Sequence, residues 1–243
     1  MSNVHFIMQT KGGIGKSWVS ALLAQYLKGK KRKLVCADTD PKTPTFVNFK
    51  SLNVAYVEVF DNGKIKQAKF DPLVESMLEK DYDFVIDTGG NTFIDLKNYL
   101  LDNSTFNTLH ESGKKVFIHC PLTGGQAFEK TIEGFSELLD IKSDFFKIVV
   151  WENEYWGPVE ADGVSVLESD LYLNAVDSGK VLGSVKIKDR SNSDSYVDDI
   201  KKMTTNSFTL DDVQSSKEFN LMAKMRMKTV VNDVFVELDN ITF

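Results

Sequence analysis

Cysteine is scarce: the 243-residue chain has two, Cys36 and Cys120, and no CxxC pair. Each stands in an apolar, strand-like run, so both read as buried free thiols rather than as a disulfide or a metal site. No apolar run approaches the roughly 20 residues that span a bilayer, and the first ten residues lack a cationic segment followed by an apolar one. These absences predict a cytoplasmic protein. No Pro/Gly/Ser-rich linker, internal repeat or low-complexity tract divides the chain, which predicts a single domain over residues 1–243. A cationic excess is missing too. The formal net charge is −6, so the chain as a whole lacks the balance of a nucleic-acid binder, although a local basic patch stays open. The three histidines predict no metal site, because His5 and His119 in strands and His110 in a loop have no Cys, Asp or Glu at ligand spacing.

An apolar share of 42% is ample for a sizeable core. Runs rich in β-branched and aromatic residues recur at 4–8, 34–37, 83–86, 115–119 and 146–151, with a late one at 181–187. Between them lie segments with helical spacing, such as Trp18, Leu22 and Tyr26, then Leu73 and Met77, then Phe128, Ile132 and Phe135. Alternating strand and helix predicts a mainly parallel central sheet with helices on both faces, whose ligands bind beyond the carboxyl ends of the strands. The polar stretch Asp189 to Tyr196 reads as a surface loop and the last helix as about residues 216–238.

Residues 8–20 read MQTKGGIGKSWVS. Glycines 12, 13 and 15 let the backbone of Gly12, Gly13, Ile14, Gly15, Lys16, Ser17 and Trp18 turn its N–H groups inward, an anion nest at the start of a helix. Lys16 would reach the β- and γ-phosphates of a nucleotide, and Ser17 offers a hard hydroxyl oxygen for Mg²⁺. The strict phosphate-loop pattern needs glycine at position 10, where this chain has Thr10. The pattern met in full is K-G-G-x-G-K-[ST], with Lys11 as an extra cation. Downstream, "CADTDPKTPT" sets Asp38 and Asp40 two apart, and "YDFVIDTGG" runs through an apolar strand to Asp87 and two glycines. A solvated acidic turn before Pro41 is the plainer alternative for the aspartate pair. "VVWENEYWGP" puts Asn153 after a strand, with Trp151, Tyr155 and Trp156 open to stacking, partner contact or core. A guanine-reading N-K-x-D is missing, which favours ATP.

These motifs resemble the deviant Walker A family of ParA/MinD-type partition and division-site ATPases. The fold implied is a three-layer P-loop nucleoside triphosphatase. The resemblance implies that Lys11 crosses a homodimer interface, formed on ATP binding, to the phosphates of the partner's nucleotide. It also implies that Asp40 orients the attacking water, that Ser17, Asp40 and Asp87 hold Mg²⁺, that Gly89 senses the γ-phosphate and that Asn153 reads the adenine edge. Lys11, Lys16 and Asp40 would be the catalytic residues. "KGGIGKS", "DTDP", "IDTGGN", "PLTGGQAF" and "WENEYWGP" together resemble the TraL/StbB branch encoded by conjugative plasmids. That branch implies a role in conjugative transfer or plasmid stability with plasmid transfer or partition proteins as partners.

Three departures stand out. Lys42 replaces the family's glutamine after D-P, "KIKDRSN" replaces its proline-containing base loop, and the C-terminus lacks the basic amphipathic helix of division-site relatives, so no membrane anchor is expected. "KMRMK" at 224–228 reads as a solvated helix face, with DNA contact left open. Two other readings stand beside the ATPase: a non-hydrolysing, nucleotide-dependent scaffold, and an electron-transfer ATPase like the iron protein of nitrogenase, which needs two suitably exposed cysteines.

Overall fold

The computed structural model describes residues 2–61 and 64–243. The chain begins with β1 (Asn3–Ile7), α1 (Lys16–Gly29), β2 (Leu34–Asp38) and β3 (Ala55–Tyr56). The short antiparallel pair β4 (Phe60–Asp61) and β5 (Lys64–Ile65) leads to α2 (Gln67–Glu79) and β6 (Asp83–Asp87). Then come α3 (Phe93–Asp102), α4 (Thr105–Glu111), β7 (Lys115–Thr123), α5 (Phe128–Leu139) and β8 (Phe146–Asn153). A second short pair, β9 (Glu160–Ala161) and β10 (Val164–Ser165), precedes α6 (Asp170–Asp177), β11 (Val181–Ile187), α7 (Asp194–Thr205), α8 (Leu210–Ser215) and α9 (Leu221–Asp239).

Among the described residues the main sheet has seven strands in the order β11-β8-β7-β1-β6-β2-β3, every neighbouring pair parallel. Both faces are covered, which is why its central strands read as continuous apolar runs. Alternation assigns the side chains. Val4 and Phe6 of β1, Phe84 and Ile86 of β6, and Ile148 and Val150 of β8 face the core that α3 and α5 close with Leu96, Leu100, Phe135 and Leu138. Ile7, Val85, Val149 and Trp151 face the other core, closed by α1 and α9 through Leu22, Leu23, Val231 and Val234. The chain leaves β1 on one side toward β6 and β2 and returns on the other to β7, so the crevice at the end of β1 is the switch point where such sheets bind ligands.

Several boundaries differ from expectation. Strand β7 runs on through Pro121 to Thr123, because β1 pairs with it only as far as His119 and the proline's missing N–H therefore faces no ladder partner. The terminal helix starts at Leu221, not near 216: Asn220 Oδ1 accepts from Ala223 N at 2.9 Å and caps it, and α8 is a separate turn. The loop expected over 189–196 stops short, since α7 begins at Asp194. His110 lies in α4 rather than in a loop. His5 and His119 are buried in β1 and β7. Trp151 Nε1–H donates to His119 Nδ1 at 2.9 Å, so the proton of His119 sits on Nε2, 2.9 Å from His5 Nδ1. Burial holds both rings neutral, lowering His5 to about 3. Cys36 and Cys120 are buried free thiols. Among the described residues no helix is long and apolar enough to cross a membrane.

Candidate nucleotide site

Strand β1 ends at Ile7 and α1 begins at Lys16, so residues 8–15 form the connecting loop at the switch point. Gly15 caps the helix at φ +90°, a conformation in which a side chain is strained. The first intrahelical bond is Val19 N to Gly15 O at 2.9 Å, which leaves the N–H groups of Lys16, Ser17 and Trp18 without helical acceptors, the arrangement that suits an anion. The Trp18 indole turns away and packs near Phe49, so its part in the nest is its backbone. Gly12 and Lys11 are exposed at the outer side of the loop.

Lys16 is buried, and its ammonium donates to the Lys11 carbonyl at 2.9 Å. Burial lowers its pKa, while the charges of Asp87 and Asp40 act in the opposite direction. Asp87, at the end of β6, is also buried; Ser17 Oγ donates to its Oδ2 at 2.6 Å and Ser20 Oγ to its Oδ1 at 2.9 Å. Burial pushes the Asp87 carboxyl up to about 7, the nearby Asp38 charge adds to the rise, and the two serine hydroxyls and Lys16 oppose it. A buried ammonium, a buried carboxylate and a hydroxyl thus share one small volume.

Asp38 and Asp40 divide the work at the end of β2. Asp38 is buried and accepts from Asp40 N at 3.0 Å and Val47 N at 3.2 Å, fixing the loop that follows. Asp40 accepts from Lys42 N and Thr43 N through Oδ1 alone, at 2.9 and 3.0 Å, and its carboxyl lies against Gly89. Gly90 leaves no room for a Cβ, which would sit 2.7 Å from Thr10 O and 3.0 Å from Gly12 N. The loop after β6 therefore rests directly on the phosphate-loop backbone. Ser17, Asp40 and Asp87 offer hydroxyl and carboxylate oxygens, the donor set suited to a hard cation that keeps most of its shell for water and phosphate oxygens. Among the described residues no three His, Cys, Asp or Glu side chains form a group that could hold a metal ion by themselves.

Asn153 ends β8 and donates one amide hydrogen to Ile14 O at 3.0 Å, while its Oδ1 accepts from Tyr155 N at 3.3 Å. One amide hydrogen and one lone pair remain for a ligand. Trp151 is core, whereas Tyr155 and Trp156 are exposed. Gly124 packs onto the Gly157 and Pro158 carbonyls, so the glycine pair of "PLTGGQAF" joins two loops.

The motifs did not single out Gln9 or Ser20. Gln9 is fully buried; its amide nitrogen donates to Thr131 O at 2.9 Å and Pro121 O at 3.1 Å, and its Oε1 accepts from Thr10 N at 2.8 Å and Thr10 Oγ1 at 3.1 Å. It clamps the root of the phosphate loop to α5 and β7. Two sequence signals pointed there: a lone polar residue just past an apolar strand, and Gly134 inside a helix. A Cβ at Gly134 would lie 1.8 Å from Gln9 Oε1.

With this geometry in place, the comparisons decide the family. The family model described as the CobQ/CobB/MinD/ParA nucleotide binding domain matches residues 5–237. The chain belongs to this family. Two Escherichia coli proteins named Protein TraL are each 34% identical to it: one over 240 residues, covering 99% of this chain and 98% of that protein, the other over 239 residues, covering 98% of each. Among solved structures, the MinC:MinD cell division protein complex of Aquifex aeolicus matches with a TM-score of 0.51 at 13% identity, covering 100% of this chain and 98% of that one. At that identity the likeness establishes the fold. A ParA/MinD-type nucleotide-binding protein close to TraL is what the quoted motifs imply, and the comparisons agree.

The clamp makes an opposed pair of predictions. Gly134→Ala gains about 1 kcal/mol in an ordinary helix interior, but here it should lower the melting temperature, because the methyl displaces Gln9. Gln9→Met leaves buried partners unsatisfied and should destabilise by about 2–4 kcal/mol while weakening nucleotide binding in calorimetry. A Gly134→Ala protein that melts higher than the parent contradicts the close approach.

Proposed function

We propose that the chain, as one domain over residues 1–243, is a Mg²⁺-dependent ATPase of the cytoplasm. It closes into a homodimer on binding ATP, and its nucleotide state sets its hold on plasmid transfer or partition proteins. The observation that carries this reading is the pairing of a buried Lys16 beside Ser17 and Asp87 with an exposed Lys11 on the outer side of the same loop. Lys16 serves the chain's own phosphates; Lys11 is placed to reach those held by a second copy and to supply charge as bond breaking develops it. Asp40, with one carboxylate oxygen left by its own loop, is the group positioned to orient water. Mg²⁺, when held by Ser17, Asp40 and Asp87, supplies charge neutralisation at the phosphates. Gly89 and Gly90, in contact with Asp40 and the phosphate loop, are where loss of the γ-phosphate would first be felt. The likeness to TraL supports a place in conjugative transfer or plasmid stability. Burial of Cys36 and Cys120 argues against an electron carrier with a cluster shared across a dimer.

Lys16→Ala should abolish ATP binding in calorimetry. Lys11→Ala should bind ATP with near-parental affinity yet fail to dimerise by light scattering and lose on the order of 100-fold in phosphate release. Parental turnover in Lys11→Ala rules out action across the interface, and a dimer that forms on ATP without releasing phosphate leaves the scaffold reading in its place. Asp87→Asn removes a desolvated charge, so in metal-free buffer it should melt no lower than the parent. In the same variant Mg²⁺ should no longer tighten nucleotide binding.

A further inference from the structure

Because all strands of the sheet are parallel, each enters at one rim and leaves at the other. The exit rim holds the nucleotide site; the entry rim is rich in lysine. The connection from α1 to β2 reads KGKKRK over residues 28–33, all exposed. Strand β7 is entered at Lys115, β8 after Lys142 with Lys147 one residue in, and β11 from Lys180. These positions lie far apart in the sequence. The spatial order β11-β8-β7-β1-β6-β2 gathers them into a stripe about 24 Å long at a strand spacing of about 4.8 Å.

Some of this charge is spoken for. Arg32 forks onto the buried Asp83 at 2.6 and 2.7 Å, and Lys30 pairs with Asp239. Asp81 and Asp144 also stand on the rim. Lys33, Lys115 and Lys142 are exposed and make no ion pair among the described residues. At the β8 and β11 end the stripe opens into a cavity of about 510 Å³ lined by Lys142, Ser143, Lys147 and Lys180. Two aromatic rings interrupt the lysines. Tyr82, before β6, and Phe145, before β8, are each 37% exposed; Lys33 Nζ lies 5.6 Å from the Tyr82 ring centre and the His110 ring 5.0 Å from that of Phe145, so each ring is covered in part and open in part. The strand order sets the two rings about 14 Å apart.

We propose that this entry rim binds single-stranded nucleic acid, with phosphates on Lys33, Lys115 and Lys142 and bases stacked on Tyr82 and Phe145. A cationic track interleaved with open aromatic faces is the arrangement that unpaired bases recognise. In a duplex those base faces are already stacked, and the two rings would find no partner. A lipid surface fits less well, because the basic run is flanked by Leu27, which is buried, and Leu34, which is half-buried, so no aliphatic side chain beside it is free to enter the bilayer. Strand β1 separates the rim from the phosphate loop by about 17 Å, so the binding does not depend on the ATPase reading.

Fluorescence anisotropy of a labelled oligothymidylate of about 30 nucleotides, without ATP, tests this. The parent should bind it at least about fivefold more tightly than a duplex of equal length. Lys33→Glu combined with Lys115→Glu and Lys142→Glu should weaken binding by about tenfold or more and lower the salt slope by about 2. Tyr82→Ala with Phe145→Ala should weaken single-strand binding by at least about 30-fold and leave duplex binding as it was. Lys224→Glu with Lys228→Glu, in α9, should change nothing. Each variant is compared only if it melts and binds ATP like the parent, which the exposure of Lys33, Tyr82, Lys115, Lys142, Phe145 and Lys228 favours; Lys224 is half-buried. No binding by the parent, a preference for duplex, binding to phosphatidylserine vesicles in place of the oligonucleotide, or equal loss from the α9 pair overturns the proposal.

Discussion

Parallel pairing of every strand in the main sheet is the constraint from which the chemistry of this molecule follows. A parallel ladder forces each connection to cross the whole sheet, and it does so here with helices that bury both faces. The consequence is a sheet with two unlike edges. All strand ends collect on one rim, which is how Lys16, Asp40, Asp87 and Asn153, spread over some 140 positions of sequence, come within reach of one another. No contact between these residues is needed to bring the segments together; hydrophobic burial in the two cores does it, and the polar groups inherit their places.

Burial also sets the energetics of the exit rim. Lys16 and Asp87 each lose water, and each is shifted toward its neutral form by that loss. Their mutual attraction and the hydroxyls of Ser17 and Ser20 offset the loss only in part, since a desolvated pair recovers its hydration only with excellent geometry. A phosphate group bound there would supply charge that this environment lacks, so the stability given up in the free protein would become affinity for such a ligand. Such a site needs a stiff frame. Gln9 supplies it by filling both its donors and both its acceptors with backbone and hydroxyl groups of the loop, α5 and β7, leaving Thr10 no freedom to drift.

Strands buried on both faces leave a strong mark in sequence, which is why β1, β2, β6, β8 and β11 were legible to within a residue or two. The glycine and lysine spacing from Lys11 to Ser17 was legible for a related reason, because few backbones other than a phosphate cradle use it. Elements whose identity rests on tertiary context were not. Helices α3 and α4 meet at Ser104, a non-glycine residue at φ +52°; the polar run from Asp102 to Thr105 marks a turn there, but nothing in it shows that a second helix of seven residues follows. The run at 115–119 falls short of the end of β7 at Thr123 because the register with β1 cannot be read from β7 alone. The start of α9 slid by five residues because Ser216 and Asn220 both suit a helix cap, and the choice between them falls to packing. Gln9 is hidden for the same reason: the carbonyls that its amide nitrogen holds, Pro121 and Thr131, lie more than a hundred residues away, and only the fold brings them near.

The net charge of −6 was a poor guide to what the entry rim presents. At physiological salt the Debye length is about 8 Å, about half the distance spanned by β1 between the two rims. Charges on one edge are therefore screened from the other, and a ligand at the entry rim meets Lys33, Lys115 and Lys142 rather than the chain average. The same screening keeps those lysines from tuning Lys16 and Asp87 through solvent. Any communication between the rims must pass through packed elements that touch both, and α1 is one of them: it begins in the phosphate loop at Lys16 and ends at Gly29, inside the basic run.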